Sequence, residues 1–187
     1  MGQRHGVLPP PVRDRRPHRA ALQRQRLRPR RLRGRGAGAV SLRLSANESD
    51  REQVLTHLRA ADAQFVPPLS QRVDLAAYAT KLCAHAERDE AWQDGALVGL
   101  VATYCNDRDQ GAYISNVSVL PALRGQGLGD ALVRQALARA RERRFPRVGL
   151  HLHPDNLAAF ALYRRHGFVP GAVEGEQLTM TLTLDRP

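Results

Sequence analysis

The sequence predicts a mixed α/β domain in which strands and helices share one sheet. Segments with alternating apolar and polar residues, typical of strands, occur between segments whose apolar residues recur at helical spacing. The order along the chain is β-α-α-β-β-β-α-β-α-β-β, without an internal repeat. Strands mixed with helices in this way indicate a sheet covered by helices.

The first two predicted elements are a strand and a helix. Alternating apolar residues predict the strand at residues 40–45: Val40, Leu42 and Leu44. Asn47 or Ser49 is expected to cap the helix, since both side chains can accept a bond from a free backbone amide. The helix should end near Ala61, with its apolar face formed by Val54, Leu55 and Leu58.

A second helix and a hairpin follow Pro67-Pro68, which interrupts regular structure. Asp74 is expected to cap this helix, and apolar residues recur after it at helical spacing: Leu75, Tyr78, Ala79, Leu82 and Cys83. The pair Asp94-Gly95 predicts a tight hairpin between strands at residues 90–93 and 96–104.

The remaining elements are predicted by the same periodicities. A turn at residues 107–111 leads into a strand at 112–120, and helices are expected at 127–143 and 156–166. Further strands are expected at residues 147–153, 168–173 and 177–184.

Charge divides the chain into two parts. The whole sequence of 187 residues carries 29 Lys+Arg and 18 Asp+Glu, a formal charge of +11. Residues 1–45 hold 13 arginines and one acid, for +12, so the remainder is −1. We therefore expect a basic Arg/Pro-rich tail at residues 1–38, either disordered or translated from a wrongly assigned start, and one domain at residues 39–187.

Composition argues against several classes of protein. No apolar run approaches the roughly 20 residues of a membrane span, and the arginine-rich start lacks the apolar stretch of a secretory signal. Two cysteines, Cys83 and Cys105, give neither metal-ligand spacing nor a disulfide framework. We expect a cytoplasmic protein without a membrane partner. Nucleic acid is a disfavoured partner, because the arginines lack interleaved aromatic residues.

The strongest chemical signal is a glycine-rich turn between a strand and a helix. The stretch contains Gly125, Gly127 and Gly129 directly before the predicted helix. Free amides at a helix N-terminus suit an anion, and glycines let a phosphate approach the backbone. The dinucleotide fingerprint needs a different spacing, G-x-G-x-x-G, and a P-loop needs a lysine that is absent near this turn.

A third interpretation of the turn fits the sequence. Arg124-x-x-Gly127-x-Gly129, after a strand and Pro121, resembles the Gln/Arg-x-x-Gly-x-Gly/Ala signature of the GNAT superfamily of acyl-CoA N-acyltransferases. About 30 residues later, a second set is similar to another segment of that family: Asn156, Ala159, Tyr163, Gly167 and Phe168. The resemblance covers about residues 40–185. It implies a mostly antiparallel twisted sheet with helices on both faces and a splayed central strand pair.

The resemblance also implies a site for acetyl-CoA, the acyl donor. Its diphosphate would lie on the backbone amides of the glycine turn: Arg124, Gly125, Gln126, Gly127, Leu128 and Gly129. Its pantetheine arm would pair with Val117 and Val119, where the Val117 amide would also stabilise the oxyanion. Asn156 would contact the arm, and Tyr163 would be the general acid that protonates the departing thiolate. No metal is implied.

The general base is left unassigned by the resemblance. The family often carries a glutamate on the strand before the glycine turn, whereas this chain has no carboxylate there: Tyr113, Ser115, Asn116 and Ser118. His151 and His153 are candidates, because they alternate with leucines and so share one face of their strand.

The leading hypothesis is an N-acetyltransferase that moves an acetyl group from acetyl-CoA directly to a primary amine of a small molecule. The resemblance implies that the acceptor lies near residues 64–81, where Arg72 and Asp74 could select a polar or charged group. Two alternatives stay open: a protein or peptide N-acetyltransferase, and a non-catalytic acyl-CoA-binding module whose basic tail binds a partner. A homodimer also stays open.

Overall fold

The computed structural model describes residues 42–184. The elements are β1 (Leu42–Ala46), α1 (Arg51–Ala61), α2 (Leu75–His85), β2 (Ala86–Gln93), β3 (Ala96–Tyr104), β4 (Ala112–Val119), α3 (Leu128–Glu142), β5 (Arg147–Leu152), α4 (Leu157–Arg165), β6 (Val169–Glu174) and β7 (Gln177–Thr183). Short 3₁₀ turns lie at Asp62–Gln64, Leu69–Gln71 and Pro121–Leu123. The predicted order of elements is confirmed, while the predicted basic tail and Val40 lie outside the described residues.

All seven strands form one sheet in the order β1-β2-β3-β4-β5-β7-β6. Every neighbouring pair is antiparallel except β4 and β5, which are parallel. The predicted mixed and mostly antiparallel sheet is therefore confirmed. Within the described residues, no helix is both long and apolar enough to cross a membrane.

Helices cover both faces of this sheet, and each face has its own apolar core. On one face α1 and α2 bury Val54, Leu58, Ala79 and Leu82 against β2 and β3. On the other face α3 packs over β2, β3 and β4, and α4 adds Tyr163 to the same core. Gly99 on β3 permits the close approach of α3, because a Cβ atom there would lie 2.8 Å from Leu132 Cδ1.

Two predictions about the first half of the domain were wrong in detail. Asp50, rather than Asn47 or Ser49, caps α1: its side chain accepts from the Gln53 amide at 2.8 Å. Ser49 is instead bonded to the buried carboxylate of Glu90 at 2.6 Å. Strand β2 begins at Ala86, earlier than expected. The prediction missed its first half because that half contains three charged residues, which do not indicate a strand in sequence but are buried in the structure: Arg88, Asp89 and Glu90.

Candidate active site

The site is built around β4, which loses one of its two neighbours halfway along. Strand β4 pairs with β3 from Tyr113 to Val119, but it pairs with β5 only at Ala112, Tyr113 and Ile114. Beyond Ile114 the two parallel strands separate and leave a gap. The splayed central strand pair predicted from the sequence is present at this position.

A β-bulge marks the point where the gap opens. Thr103 pairs with Ile114 and Ala102 pairs with Asn116, which leaves Ser115 without a partner on β3. A bulge exchanges the faces of the residues that follow it. As a result, Asn116 and Ser118 turn toward α1, where Ser118 Oγ lies 2.8 Å from His57 Nε2.

The backbone of the second half of β4 directs amides into the gap. The Leu120 amide donates to the Val98 carbonyl at 2.9 Å, on the β3 side. Because amide directions alternate along a strand, the amides of Val117 and Val119 point the opposite way. The Val119 amide makes a long contact there, 3.4 Å to Gln64 Oε1.

The glycine turn lies at the wide end of the gap. Gly125 and Gly127 have φ angles of +73° and +77°, and a Cβ atom on either would meet nothing within 4 Å. Gly127 is the N-cap of α3. Within the described chain, the amides that follow Arg124 have no backbone acceptor: Gly125, Gln126, Gly127, Leu128 and Gly129. A helix N-terminus with open amides on flexible glycines is suited to an anion.

Arg124 fixes this turn to the end of β4 rather than leaving its amide open. Its amide donates to the Pro121 carbonyl at 3.3 Å, and its Nε donates to the Val119 carbonyl at 3.2 Å. The turn is thereby connected to the strand whose amides face the gap.

Helix α4 brings the second predicted motif to the same place. Asn156 caps the helix by accepting from the Ala159 amide at 3.1 Å. Leu162 lies against the turn, since a Cβ atom on Gly129 would be 3.8 Å from Leu162 Cδ2. The Tyr163 ring is 7 % exposed and packs on Phe168 with ring centroids 5.6 Å apart. Burial raises the pKa of Tyr163, so its hydroxyl stays protonated.

Tyrosines from two elements surround the narrow end of the gap, on the face of the sheet covered by α2. The Tyr78 hydroxyl donates to the Ser115 carbonyl at 3.0 Å, directly at the bulge. The Tyr113 hydroxyl lies 3.1 Å from His151 Nδ1. Burial raises the pKa of Tyr113 to about 12, so this group also stays neutral. Arg72 is exposed nearby, whereas Asp74 accepts from the Ala77 amide at 2.7 Å as the predicted cap of α2.

Other side chains that could act as a base, a nucleophile or a phosphate ligand are already bonded or kept neutral. His153 Nδ1 accepts from the Asp155 amide at 3.2 Å. Burial raises the pKa of Cys105 to about 11, which keeps it a thiol. The arginines at the end of α3 form ion pairs with β2, for example Arg139 with Asp89 at 2.6 Å.

Sequence reasoning missed two residues that contact β4. Gln64 reaches Val119 from a short turn, and no local pattern indicates this contact between residues 55 positions apart. His57 is 2 % exposed and donates from Nδ1 to the Leu97 carbonyl at 3.0 Å. Its position between Leu55 and Leu58 on an apolar helix face was the available signal.

Comparison with known proteins agrees with this geometry. The acetyltransferase (GNAT) family matches residues 53–168. A mycothiol acetyltransferase from Salinispora tropica is 40% identical over 98 residues, which cover 44% of this chain and 32% of that protein. A Bacillus subtilis protein assigned as a ribosomal protein bS18-alanine N-acetyltransferase is 32% identical over 87 residues, covering 46% of this chain and 56% of that protein.

A solved structure supports the fold. The PaiA N-acetyltransferase from Thermoplasma acidophilum, crystallised with coenzyme A, has a TM-score of 0.60 at 13% identity, covering 75% of this chain and 99% of that one. The curated relatives are matched over only about a third to a half of their own length. The family match nevertheless spans most of the described residues, with both motifs inside it. The chain belongs to the GNAT acetyltransferase family.

Proposed function

We propose that this protein is an acetyl-CoA-dependent N-acetyltransferase that transfers the acetyl group directly to a primary amine of a small molecule. The observation that carries the proposal is the second half of β4, paired on one side only and continued into an open glycine turn. A strand with free amides can pair with an extended ligand, and the turn can accept a phosphate at the end of that ligand.

The residues present fit acetyl-CoA. Val117 and Val119 offer amides along the gap for a pantetheine arm, after Gln64 moves away from Val119. The open amides from Gly125 to Gly129 offer donors for a diphosphate, and the absence of Cβ atoms at Gly125 and Gly127 leaves room for its oxygens. The coenzyme A complex of PaiA, which has the same fold, supports this assignment.

Three residues would act on the reacting groups. The Val117 amide would hold the thioester carbonyl oxygen as negative charge develops on it. Tyr163 would give its proton to the leaving sulfur, a role supported by the raised pKa that keeps it a phenol. Asn156 would contact the arm through its side-chain amide, because its oxygen already caps α4. Acetyl-CoA itself supplies the activated acyl group.

A small acceptor is favoured by the crowded narrow end of the gap. Tyr78 is bonded across Ser115, and Tyr113 is bonded to His151, so side chains rather than an open groove border this entrance. Names of the relatives include both classes of acceptor, a thiol-containing small molecule and a ribosomal protein. We infer that the tyrosine-lined entrance selects an amine of limited size.

The test is release of free thiol from acetyl-CoA across a panel of small amines, amino sugars and peptides. We expect turnover with at least one small amine. Tyr163→Phe should lower kcat by about 10- to 100-fold with little change in acetyl-CoA affinity, because one acid is lost while the ring packing remains. Turnover on peptides alone would contradict the acceptor class. Tight acetyl-CoA binding without turnover on any acceptor would contradict the proposal that the protein is an enzyme.

A further inference from the structure

The narrow end of the gap places a histidine where the two parallel strands part. Ile114 and Leu150 form the last pair between β4 and β5, so Ser115 and His151 are the first residues beyond it. Leu150 and Leu152 are buried in the core under α3, and His151 between them is exposed on the opposite face. Ser115 is level with His151, and Val117 follows two residues later on β4. Since a strand rises about 3.3 Å per residue, His151 lies close to Val117 along the gap.

His151 differs from His57 in having a ring nitrogen without a partner among the described residues, and from His153 in its bond to Tyr113 at the end of the β4–β5 pairing. His57 uses both nitrogens, on Leu97 and Ser118, and burial lowers its pKa to about 4. His153 is turned toward Asp155, whose amide it accepts. His151 uses only Nδ1, on Tyr113, and in the described chain its Nε2 has no hydrogen-bond partner.

We propose that His151 is the general base of the acetyl transfer and that Tyr113 is the residue that positions it. This inference rests on the function proposed above. In the required tautomer, Nδ1–H donates to the Tyr113 hydroxyl oxygen at 3.1 Å, which leaves the Nε2 lone pair open toward the entrance. The edge-on contact of the two rings, with centroids 5.6 Å apart, holds the imidazole plane.

The proton balance of the step is complete with residues on the two sides of the gap. The amine nitrogen forms a bond to the acetyl carbon, and the carbon–sulfur bond breaks. His151 Nε2 takes the proton that the nitrogen loses, and Tyr163 gives a proton to the sulfur. Solvent then removes the proton from the exposed His151 and reprotonates Tyr163, so the products are the amide and free coenzyme A.

Few other groups around His151 can titrate or carry charge. Tyr113 faces it from β4, and Tyr78 and Arg72 lie on the α2 side of the entrance. His153 and Asp155 follow at the end of β5. The residue paired with His151 on β7 is Thr179, which does not titrate. His153 carries the neighbouring imidazole on the same strand, so a pH test of His151 needs a matched change at His153.

The test compares His151→Gln with His153→Gln, a matched change two residues along the same chain. With the best amine of the panel, His151→Gln should lower kcat about 100- to 1,000-fold and abolish the acid limb of the kcat/KM profile. Acetyl-CoA affinity and the thermal midpoint should be unchanged, since the side chain is exposed. His153→Gln should keep the wild-type profile.

Two further variants separate a catalytic role from a structural one. Tyr113→Phe keeps the ring contact but removes the oxygen, so kcat should fall about 5- to 20-fold and the acid limb should move. His151→Ala should regain activity with added imidazole, because the site is open to solvent. Equal activity of wild type and His151→Gln would overturn the inference while leaving the proposed function intact. Wild type inactive on every amine would instead overturn the proposed function.

Discussion

The two halves of β4 differ in how their backbone is satisfied. Residues 112–114 are paired with β3 or β5, and beyond them the strand continues through Val119 with β3 alone. Backbone groups left unpaired in a protein interior cost free energy unless a ligand or water satisfies them. The first half of the strand therefore contributes mainly to the sheet, and the second half keeps amides available for binding.

Hydrogen bonds from side chains hold the second half of β4, which has no β5 partner. Ser118 is fixed by His57 from α1, the Ser115 carbonyl by Tyr78 from α2, and the Val119 amide by Gln64. The contacts of His57 are buried, and that of Gln64 lies in the gap proposed to bind acetyl-CoA. Changes on the α1 side should thus affect stability, whereas changes along the gap should affect ligand affinity.

Gly127→Glu should have the largest effect and should act on binding. The new carboxylate would stand at the amides proposed for the diphosphate, where it repels the ligand. We expect the Kd for acetyl-CoA to rise about 1,000-fold, or about 4 kcal/mol, measured by isothermal titration calorimetry. The fold should persist, because a Cβ atom at Gly127 meets nothing within 4 Å.

The control for this change is Gly127→Ala, which introduces the same Cβ atom without charge. Both variants carry the strain of a non-glycine residue at a φ of +77°, about 1 kcal/mol. If alanine weakened binding as much as glutamate, backbone strain rather than charge would explain the loss, and the phosphate assignment would fail.

The glycine turn was predictable because its information is local. Three glycines and one arginine within six residues define the turn, and Asn156 and Tyr163 follow at a fixed spacing on one helix. The bulge at Ser115 was not predictable, because it is defined by the pairing of Ala102 and Thr103 on another strand. Without the bulge, no pattern indicates that Asn116 and Ser118 face α1.

His57→Gln changes a buried contact on the α1 side of β4, so it should affect stability and its pH dependence rather than ligand affinity. Burial lowers the pKa of folded His57 to about 4, from an ordinary value of 6.5, although the Leu97 bond raises it. The unfolded chain then binds the proton more readily. The contribution of neutral His57 to the free energy of unfolding is fully present above pH 6.5. It is lost as the pH falls toward 4, and the loss amounts to about 3 kcal/mol.

The measurement is urea unfolding at several pH values for wild type and His57→Gln. Carboxylates titrate in both proteins, so the difference between the two slopes isolates His57. The variant should be less stable near pH 7 but should lose less stability between pH 6.5 and 4. Acetyl-CoA affinity at neutral pH should change less than about threefold. Parallel pH profiles would show that His57 is not held neutral.

The smallest effect is expected at Gln64, whose side chain both holds the second half of β4 and lies along the gap. Its Oε1 accepts from the Val119 amide at a long 3.4 Å, and its buried Nε2 has no partner among the described residues. A bond of this length contributes less than about 1 kcal/mol. Gln64→Ala should therefore free the amide and strengthen acetyl-CoA binding about two- to fivefold.

Gln64→Glu should move affinity in the other direction. A carboxylate in the same position accepts the Val119 amide more strongly than a neutral amide oxygen does, since bonds to charged acceptors are roughly twice as strong. The pantetheine arm would then compete with a better partner, and the Kd should rise. Calorimetry of both variants is decisive: opposite shifts mean that Gln64 occupies the amide the ligand needs. Shifts of the same sign would mean that Gln64 only shapes the wall of the gap. Gln64 would then not compete with the ligand for the Val119 amide.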